Sequence, residues 1–279
     1  MPSPPEPPRL LTLADIPAAM VLKDSASWNQ TVEDWENVIR LAPRGCFAIQ
    51  CDGKLVATAT AVIYQKRLAW IGMVLTHPDY RGRGYARSLM EQSLAHLDAE
   101  GVDWIKLDAT DMGRPLYLQL GFEDEAPIER WLRPAGDLPF PGRDRREAVP
   151  FDPALDLEAF GADRRELLAV LSRIESASVP GKGLAMGRPG SNATYFGPCV
   201  CRDQATAREL TRSFVARHSH ENIYWDLLPA NANAVELARE LGFEPLRRLT
   251  RMVRQGVAGG ADLLHNDSLV FAIAGFEYG

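Results

Sequence analysis

The sequence predicts an α/β chain in which one mixed unit of strands and helices occurs twice. Short β-rich runs alternate with helix-length amphipathic stretches along its whole length. Landmarks return in the same order in the two halves: IGMVL followed by ARSL answers to FGPCV followed by AREL, WIKLD to IYWDL, and LQLGFE at 118–123 to RELGFE at 239–244. Between the halves lies PAGDLPFPGRDRREAVPFDP, whose proline, glycine and charge are those of a linker. At 279 residues the chain also exceeds the usual size of one domain. The expected division is a disordered proline-rich tail over 1–8, a first domain over 9–135, a linker over 136–151 and a second domain over 152–279.

The elements follow in order. LLTL reads as a short strand. ADIPAAMVLKDSASW and TVEDWENVIRLAP read as helices, the second with Thr31 as N-cap and Asp34 as its acidic partner. GCFAIQCDGKLVATATAVIYQKRLAWIGMVLTHP holds three β-rich runs, the first two joined as a hairpin at Asp52-Gly53. From Arg87 to Glu100, the residues Leu89, Met90, Leu94 and Leu97 share a helical face, and Gly101 stops the helix. VDWIKLDAT is a strand, RPLYLQLGF a helix ending at Gly121, and IERWLR a strand. In the second half LEAFGADRRELLAVLSRI reads as a helix, as do QATARELTRSFVARH and NAVELARELGF. GLAMGR, ATYFGPCV, NIYWDLL and RLTRMVR read as strands.

Composition excludes several classes. Hydrophobic content of 46% and charged content of 24% belong to a soluble globular protein. A net charge of −6 argues against nucleic acid as a partner and mildly favours cationic acceptors such as amines. No apolar run is long enough to span a membrane, and MPSPPEPPRLL lacks the apolar core of a signal peptide. Four cysteines without an export signal suit a reducing cytoplasm. Cys199 and Cys201 form a CxC with no second ligand pair at zinc spacing, so strand alternation explains them better than a metal.

The chemistry concentrates in HPDYRGRGYARSLM, residues 77–90. Glycines at 82 and 84 let the backbone turn tightly and bring N–H groups close to a ligand. The helix that follows adds unsatisfied N–H groups and the positive end of its dipole. With Arg81 and Arg83 they form a cradle for a pyrophosphate. The Walker pattern is absent both here and in PGKGLAMGRPG, which reads as a strand between turns.

VLTHPDYRGRGYARSL resembles the acetyl-coenzyme A signature of the GNAT acetyltransferase superfamily, [RQ]xxGx[GA], with Arg81, Gly84 and Ala86 in its three defining places. The resemblance runs from residue 9 to about 133 and includes a later YxxxGF. It implies, for each domain, a mixed and mostly antiparallel sheet flanked by helices and splayed after its fourth strand. Acetyl-coenzyme A would then be the cosubstrate, with no metal. Its pantetheine would lie in the gap against the backbone of Val74 and Thr76, and its diphosphate on Arg81, Gly82, Arg83, Gly84, Tyr85 and Ala86. The implied reaction is direct attack of a neutral amine on the thioester, with Tyr117 of YxxxGF protonating the departing sulfur. The family's usual fourth-strand glutamate falls at Met73, which cannot accept a proton. Asp108 is the leading substitute base, although a carboxylate there more often caps the following turn.

The second copy lacks these features. PCVCRDQATARE has no RxxGxG, and Ala238 stands where Tyr117 stands in the first. The layout therefore resembles a tandem GNAT protein with an active first domain and a degenerate second. FGADRRELL, TRMVRQG, AIAGFEYG and SWNQT are similar to segments of a poorly characterised bacterial subgroup of that kind. This resemblance makes Trp28 and Asn29 candidate substrate contacts. The second domain is expected to cover the acceptor site, where Tyr195, Asp226 or Glu277 would reach the amine. The reading is an N-acetyltransferase acting on a small-molecule primary amine, with a homodimer among the assemblies considered. The alternatives are acetylation of a protein lysine or N-terminus, and a non-catalytic acyl-coenzyme A sensor.

Overall fold

A computed structural model of the chain describes residues 7–138 and 152–279. The first six residues of the expected tail and residues 139–151 of the expected linker lie outside the described residues.

The first half runs β1 (Arg9–Leu10), α1 (Ile16–Asp24), α2 (Val32–Leu41), β2 (Cys46–Cys51), β3 (Lys54–Tyr64), β4 (Leu68–Thr76), α3 (Tyr85–Glu100), β5 (Trp104–Ala109), α4 (Arg114–Gln119) and β6 (Glu123–Arg133). The second half runs α5 (Pro153–Phe160), α6 (Arg165–Leu171), β7 (Glu175–Val179), β8 (Gly183–Arg188), β9 (Thr194–Cys201), α7 (Gln204–Arg217), β10 (Ile223–Leu227), α8 (Ala232–Glu240), β11 (Glu244–Gln255) and β12 (Val270–Ala272). Local signals account for many of the boundaries. Thr31 and Asp34 form a reciprocal capping box. Asp52 and Gly53 both take positive φ, as the tight hairpin turn requires. Gly101 ends α3 in the left-handed conformation. LEAFGADRRELLAVLSRI, expected as one helix, is two. Gly161 closes α5 at φ +86°, and a Cβ there would come within 2.7 Å of Leu264 O, so the break answers to a remote contact.

The two mixed sheets join into a single twelve-stranded one, in the order β1-β2-β3-β4-β5-β11-β6-β10-β9-β8-β7, with β12 paired to β9. The order shows an exchange. β11 of the second half lies against β5, while β6 of the first half lies against β10. Packing follows the exchange: Met252 of β11 joins the core formed by α3, β4 and β5, and Trp131 of β6 joins the core around Phe196, Phe214 and Trp225. On the opposite face of the first half, α1 and α2 share one core with α5, α6 and the C-terminal segment. Such shared burial makes the halves one cooperative body.

Each half has one pair of parallel strands that separates. β4 and β5 pair only over Leu68–Trp70 and Trp104–Lys106. β9 and β10 pair only over Thr194–Phe196 and Ile223–Trp225. In the second half the gap is filled: β12 pairs with β9, Ile273 N donates to Asp226 O at 3.1 Å, and Trp225 Nε1 donates to Phe271 O at 2.7 Å. A Cβ on Gly197 would lie 2.1 Å from Ile273 O. Where the first half opens a helix with bare glycines, α7 is capped by Asp203, whose carboxylate accepts from Thr206 N at 2.7 Å. Among the described residues no strand enters the gap of the first half. Among the described residues no helix is long and apolar enough to cross a membrane.

Candidate active site

A cavity of about 640 Å³ occupies the first-half gap. A bulge in β4 aims its backbone. Register shifts between the Thr58 and Thr60 pairings, and Met73 adopts φ +46° while its carbonyl accepts from Thr58 Oγ1 at 2.9 Å. Beyond Trp70 the β5-facing edge of β4 carries no strand, so main-chain groups of Val74 and Thr76 are available to a ligand with amide-like polarity. Thr76 Oγ1 is buried with no hydrogen-bond partner among the described residues.

At one end stands the glycine loop. Gly82 and Gly84 have φ +74° and +84°, in the left-handed region that glycine enters without steric cost. Nothing lies within 4 Å of where a Cβ would be at either, so the loop presents bare backbone with open space above it. Gly84 is the N-cap of α3, whose first N–H groups have no acceptor within the helix. Arg81 lines the cavity, its Nε donating to Thr76 O at 3.3 Å. Arg83 turns away, donating to Asp79 O at 2.9 Å with its guanidinium 5.1 Å from the Tyr80 ring. Tyr85 is buried in a cluster with Phe47, Ile49 and Leu89 and also lines the cavity. Open glycines, a helix start and a nearby guanidinium fit a diphosphate.

Tyr117 stands on the cavity wall. Its ring packs edge-on to Phe122 at 6.2 Å, and a Cβ on Gly113 would come within 2.9 Å of it. Glycine at 113 thus makes room for the ring. Burial pushes the phenol pKa up to about 12, so the group keeps its proton at neutral pH. Its hydroxyl makes no hydrogen bond with the described residues.

The far end is built by the C-terminal segment after β12. Trp70 Nε1 donates to Phe276 O at 3.1 Å and Tyr64 Oη to Tyr278 O at 2.8 Å, fixing the segment on β3 and β4. Glu277 is consequently placed beside Gly72 and Met73. Its Oε1 accepts from Arg188 Nη2 at 2.6 Å and its Oε2 from Gln30 Nε2 at 3.1 Å. Arg188 is shared, since its Nε donates to Asp34 Oδ1 at 2.9 Å. Burial raises the pKa of Glu277, against the opposing pull of Arg188. Glu277 lines the cavity.

Of the other residues anticipated near the acceptor, Asp108 lines the cavity but caps no turn. Both its oxygens accept from Arg251, at 3.0 and 3.2 Å, and burial raises its pKa while Arg251 lowers it. Asn29 reaches the lining, yet its amide is occupied by the second half: Nδ2 donates to Ala193 O at 2.9 Å, and Oδ1 accepts from Asn192 N and Ala193 N. Trp28 lines the cavity and packs against the shared core. Tyr195 donates to Ile273 O, and Asp226 is held by Arg130 through two 2.7 Å hydrogen bonds. Arg247, Gln30 and Phe276 also line the cavity, and sequence reasoning did not single them out. The nearest signals were SWNQT and AIAGFEYG, which contain Gln30 and Phe276. Among the described residues no group of three or more His, Cys, Asp or Glu could hold a metal.

Residues 13–122 match the acetyltransferase (GNAT) family, and residues 153–264 match an acetyltransferase (GNAT) domain. A curated relative, UPF0039 protein C11D3.02c of Schizosaccharomyces pombe, is 36% identical over 74 residues, 26% of this chain. The chain spans about half, 49%, of that relative's length. Among solved structures, a Pyrococcus horikoshii protein whose acetyltransferase assignment is itself provisional superposes with a TM-score of 0.84 at 20% identity, over 98% of this chain and 95% of its own. A GCN5-related N-acetyltransferase from Sphaerobacter thermophilus gives 0.63 at 15% identity, over 91% and 98%. A tandem GNAT protein from the clavulanic acid biosynthesis pathway gives 0.60 at 16% identity, over 91% and 99%. At these identities the likeness is one of fold. The family matches cover both halves, and the chain belongs to the GNAT acetyltransferase superfamily as a protein with two such domains in tandem.

Proposed function

We propose that this chain transfers an acetyl group from acetyl-coenzyme A to a primary amine of a small molecule, in the first domain alone. One observation carries the reading: a single cavity joins the open glycine loop, the unpaired edge of β4, the Tyr117 wall and the Glu277 end. The second-half gap is filled by β12, and its helix start is capped by a carboxylate, which disfavours a second coenzyme site.

The thioester supplies an activated acyl carbon. Val74 and Thr76 hold the pantetheine by main-chain hydrogen bonds, and the 81–86 loop holds the diphosphate. The amine enters from the Glu277 end, and binding both substrates in one cavity contributes orientation. Its nitrogen lone pair forms the new C–N bond while the C–S bond breaks and sulfur keeps the electron pair. Tyr117 Oη gives its proton to that sulfur. The proton lost by the amine goes to Glu277, whose place beside Gly72 and Met73 restores a carboxylate near the strand that lacks one. We assign the base to Glu277 over Asp108 because the Arg251 guanidinium takes both oxygens of Asp108, whereas Oε2 of Glu277 accepts only from the neutral amide of Gln30.

Titration calorimetry with acetyl-coenzyme A, together with thiol release on a panel of primary amines, tests the reading. Binding with amine-dependent thiol release is expected. Binding without release from any amine would favour a sensor, and absence of binding would overturn the site.

A further inference from the structure

The acceptor end carries a charge that the protein leaves uncompensated. Asp226, Arg130 and Arg247 face one another across three adjacent strands, as register partners of β10, β6 and β11. Like charges directly opposite in a sheet repel. Asp226 neutralises only one of the two arginines, since both its oxygens accept from Arg130. Among the described residues no carboxylate lies within ion-pair distance of Arg247, whereas Arg130 and Arg251 each have one and Arg188 has two. Arg247 is exposed, lines the cavity, and stands 5.5 Å from the Phe276 ring. Its partial enclosure, and then the charge of Arg130, depress its pKa, so a bound anion would relieve it.

Elsewhere on the lining of the same cavity the excess is opposite. Arg188 is shared by two carboxylates, Asp34 and Glu277. Gln30 Oε1 is buried in the same lining with no hydrogen-bond partner among the described residues, and its Nε2 is already committed to Glu277, which fixes the amide's orientation. An unpaired acceptor beside a surplus carboxylate calls for a donor, and an N–H of the substrate amine supplies one.

We propose that the acceptor is an amine that also bears a carboxylate, an amino acid or an amino-acid-like compound, with its carboxylate on Arg247 and its amino group between Gln30 Oε1 and Glu277. This deepens the acyltransferase reading and rests on it. A guanidinium with no hydrogen-bond or ion-pair partner among the described residues can present its planar donors to a carboxylate in a paired, shape-matched contact.

The test uses the full chain. Thiol release is measured for the L-amino acids, for their decarboxylated amines of matched side chain, and for phosphoethanolamine. The expected result is that at least one amino acid exceeds its matched amine in kcat/KM by roughly 10- to 100-fold, the scale of one charge-assisted contact. Arg247→Met should collapse that ratio through KM, and Arg247→Lys should restore part of it. Equal use of amine and amino acid, a ratio unmoved in Arg247→Met, or preference for phosphoethanolamine would overturn the proposal. A binding arm needs no turnover: N-acetyl-L-amino acids are titrated against their N-acetyl-amine counterparts, with acetyl-coenzyme A titrated separately. Coenzyme binding without discrimination between those products sinks the carboxylate site alone. Carboxylate-selective product binding that is lost in Arg247→Met supports it even if turnover is absent, and no coenzyme binding sinks the acyltransferase reading.

Discussion

The backbone of Glu277 occupies the space a side chain on Gly72 would need: a Cβ at Gly72 would lie 2.6 Å from Glu277 Cα and 3.0 Å from its carbonyl oxygen. The C-terminal segment can therefore lie flat on β4 only because residue 72 is glycine. Gly72→Ala should push the segment off β4 and carry Glu277 and Phe276 away from the acceptor end. Turnover should fall by ~10-fold or more, because small misplacements of a catalytic group are costly. Affinity for acetyl-coenzyme A, set at the other end of the cavity, should change little. Parallel calorimetry and thiol-release kinetics check both halves of the statement.

As the proposed base, Glu277 should set the acid side of the pH profile. Burial raises its pKa, so the protonated and inactive form persists above the usual carboxylate value of about 4.3. The rate should climb with pH through that raised value and then level. The stability sign is the reverse of that for a carboxylate whose folded-state pKa is depressed. Between the unfolded and the raised folded pKa the native state binds the proton more tightly, so this group's contribution falls as pH rises through that window. Glu277→Gln should lower kcat by ~10²-fold or more and abolish the acidic limb in a pH–rate series.

Tyr117→Phe should lower kcat on the order of 10²-fold, the usual range for general acid catalysis, and leave coenzyme affinity near the wild-type value. With its phenol pushed up to about 12, no alkaline limb from this residue should appear below about pH 10. Unchanged turnover in the phenylalanine variant would remove the proton-donor role and leave Tyr117 as packing against Phe122 and Gly113.

Legibility in the sequence followed the range of the interactions. The Thr31–Asp34 capping box, the Asp52-Gly53 turn and the glycine entry to α3 are set by neighbours within a few residues, and each was readable. The glycine loop combined local backbone chemistry with a spacing, so its place on the cavity could be anticipated, although Arg83 turns away to Asp79. The acceptor end could be anticipated only as a region. Glu277 was one of three candidates, and nothing local separates it from Tyr195 or Asp226; the contacts to Trp70, Tyr64 and Arg188 do. Asp108 looked free because Arg251, its partner, is supplied by a strand that enters from the second half. The exchange of β6 and β11 left no trace, since both strands alternate equally well beside either neighbour. Arg247 was invisible for the same reason, its significance being a missing partner.

The exchanged strands make the halves inseparable. Cutting the chain between residues 138 and 152 and expressing the first part alone would expose the long edge of β5 that β11 covers, and would leave β6 without either neighbour. It would also orphan Asp108 and Arg130, buried charges whose partners Arg251 and Asp226 belong to the second part. Removing one member of a buried ion pair costs about 3–5 kcal/mol, which across two pairs is comparable to the whole stability of a domain. The isolated first part should therefore be insoluble or unfolded, and co-expression of both parts should recover a complex with coenzyme affinity. The intact chain should unfold in a single transition by circular dichroism and by tryptophan fluorescence, as Trp131 of the first half lies in the second core. A soluble first part with undiminished turnover would show that β5 tolerates a bare edge, and that neither Glu277 nor Arg247 is needed at the acceptor end.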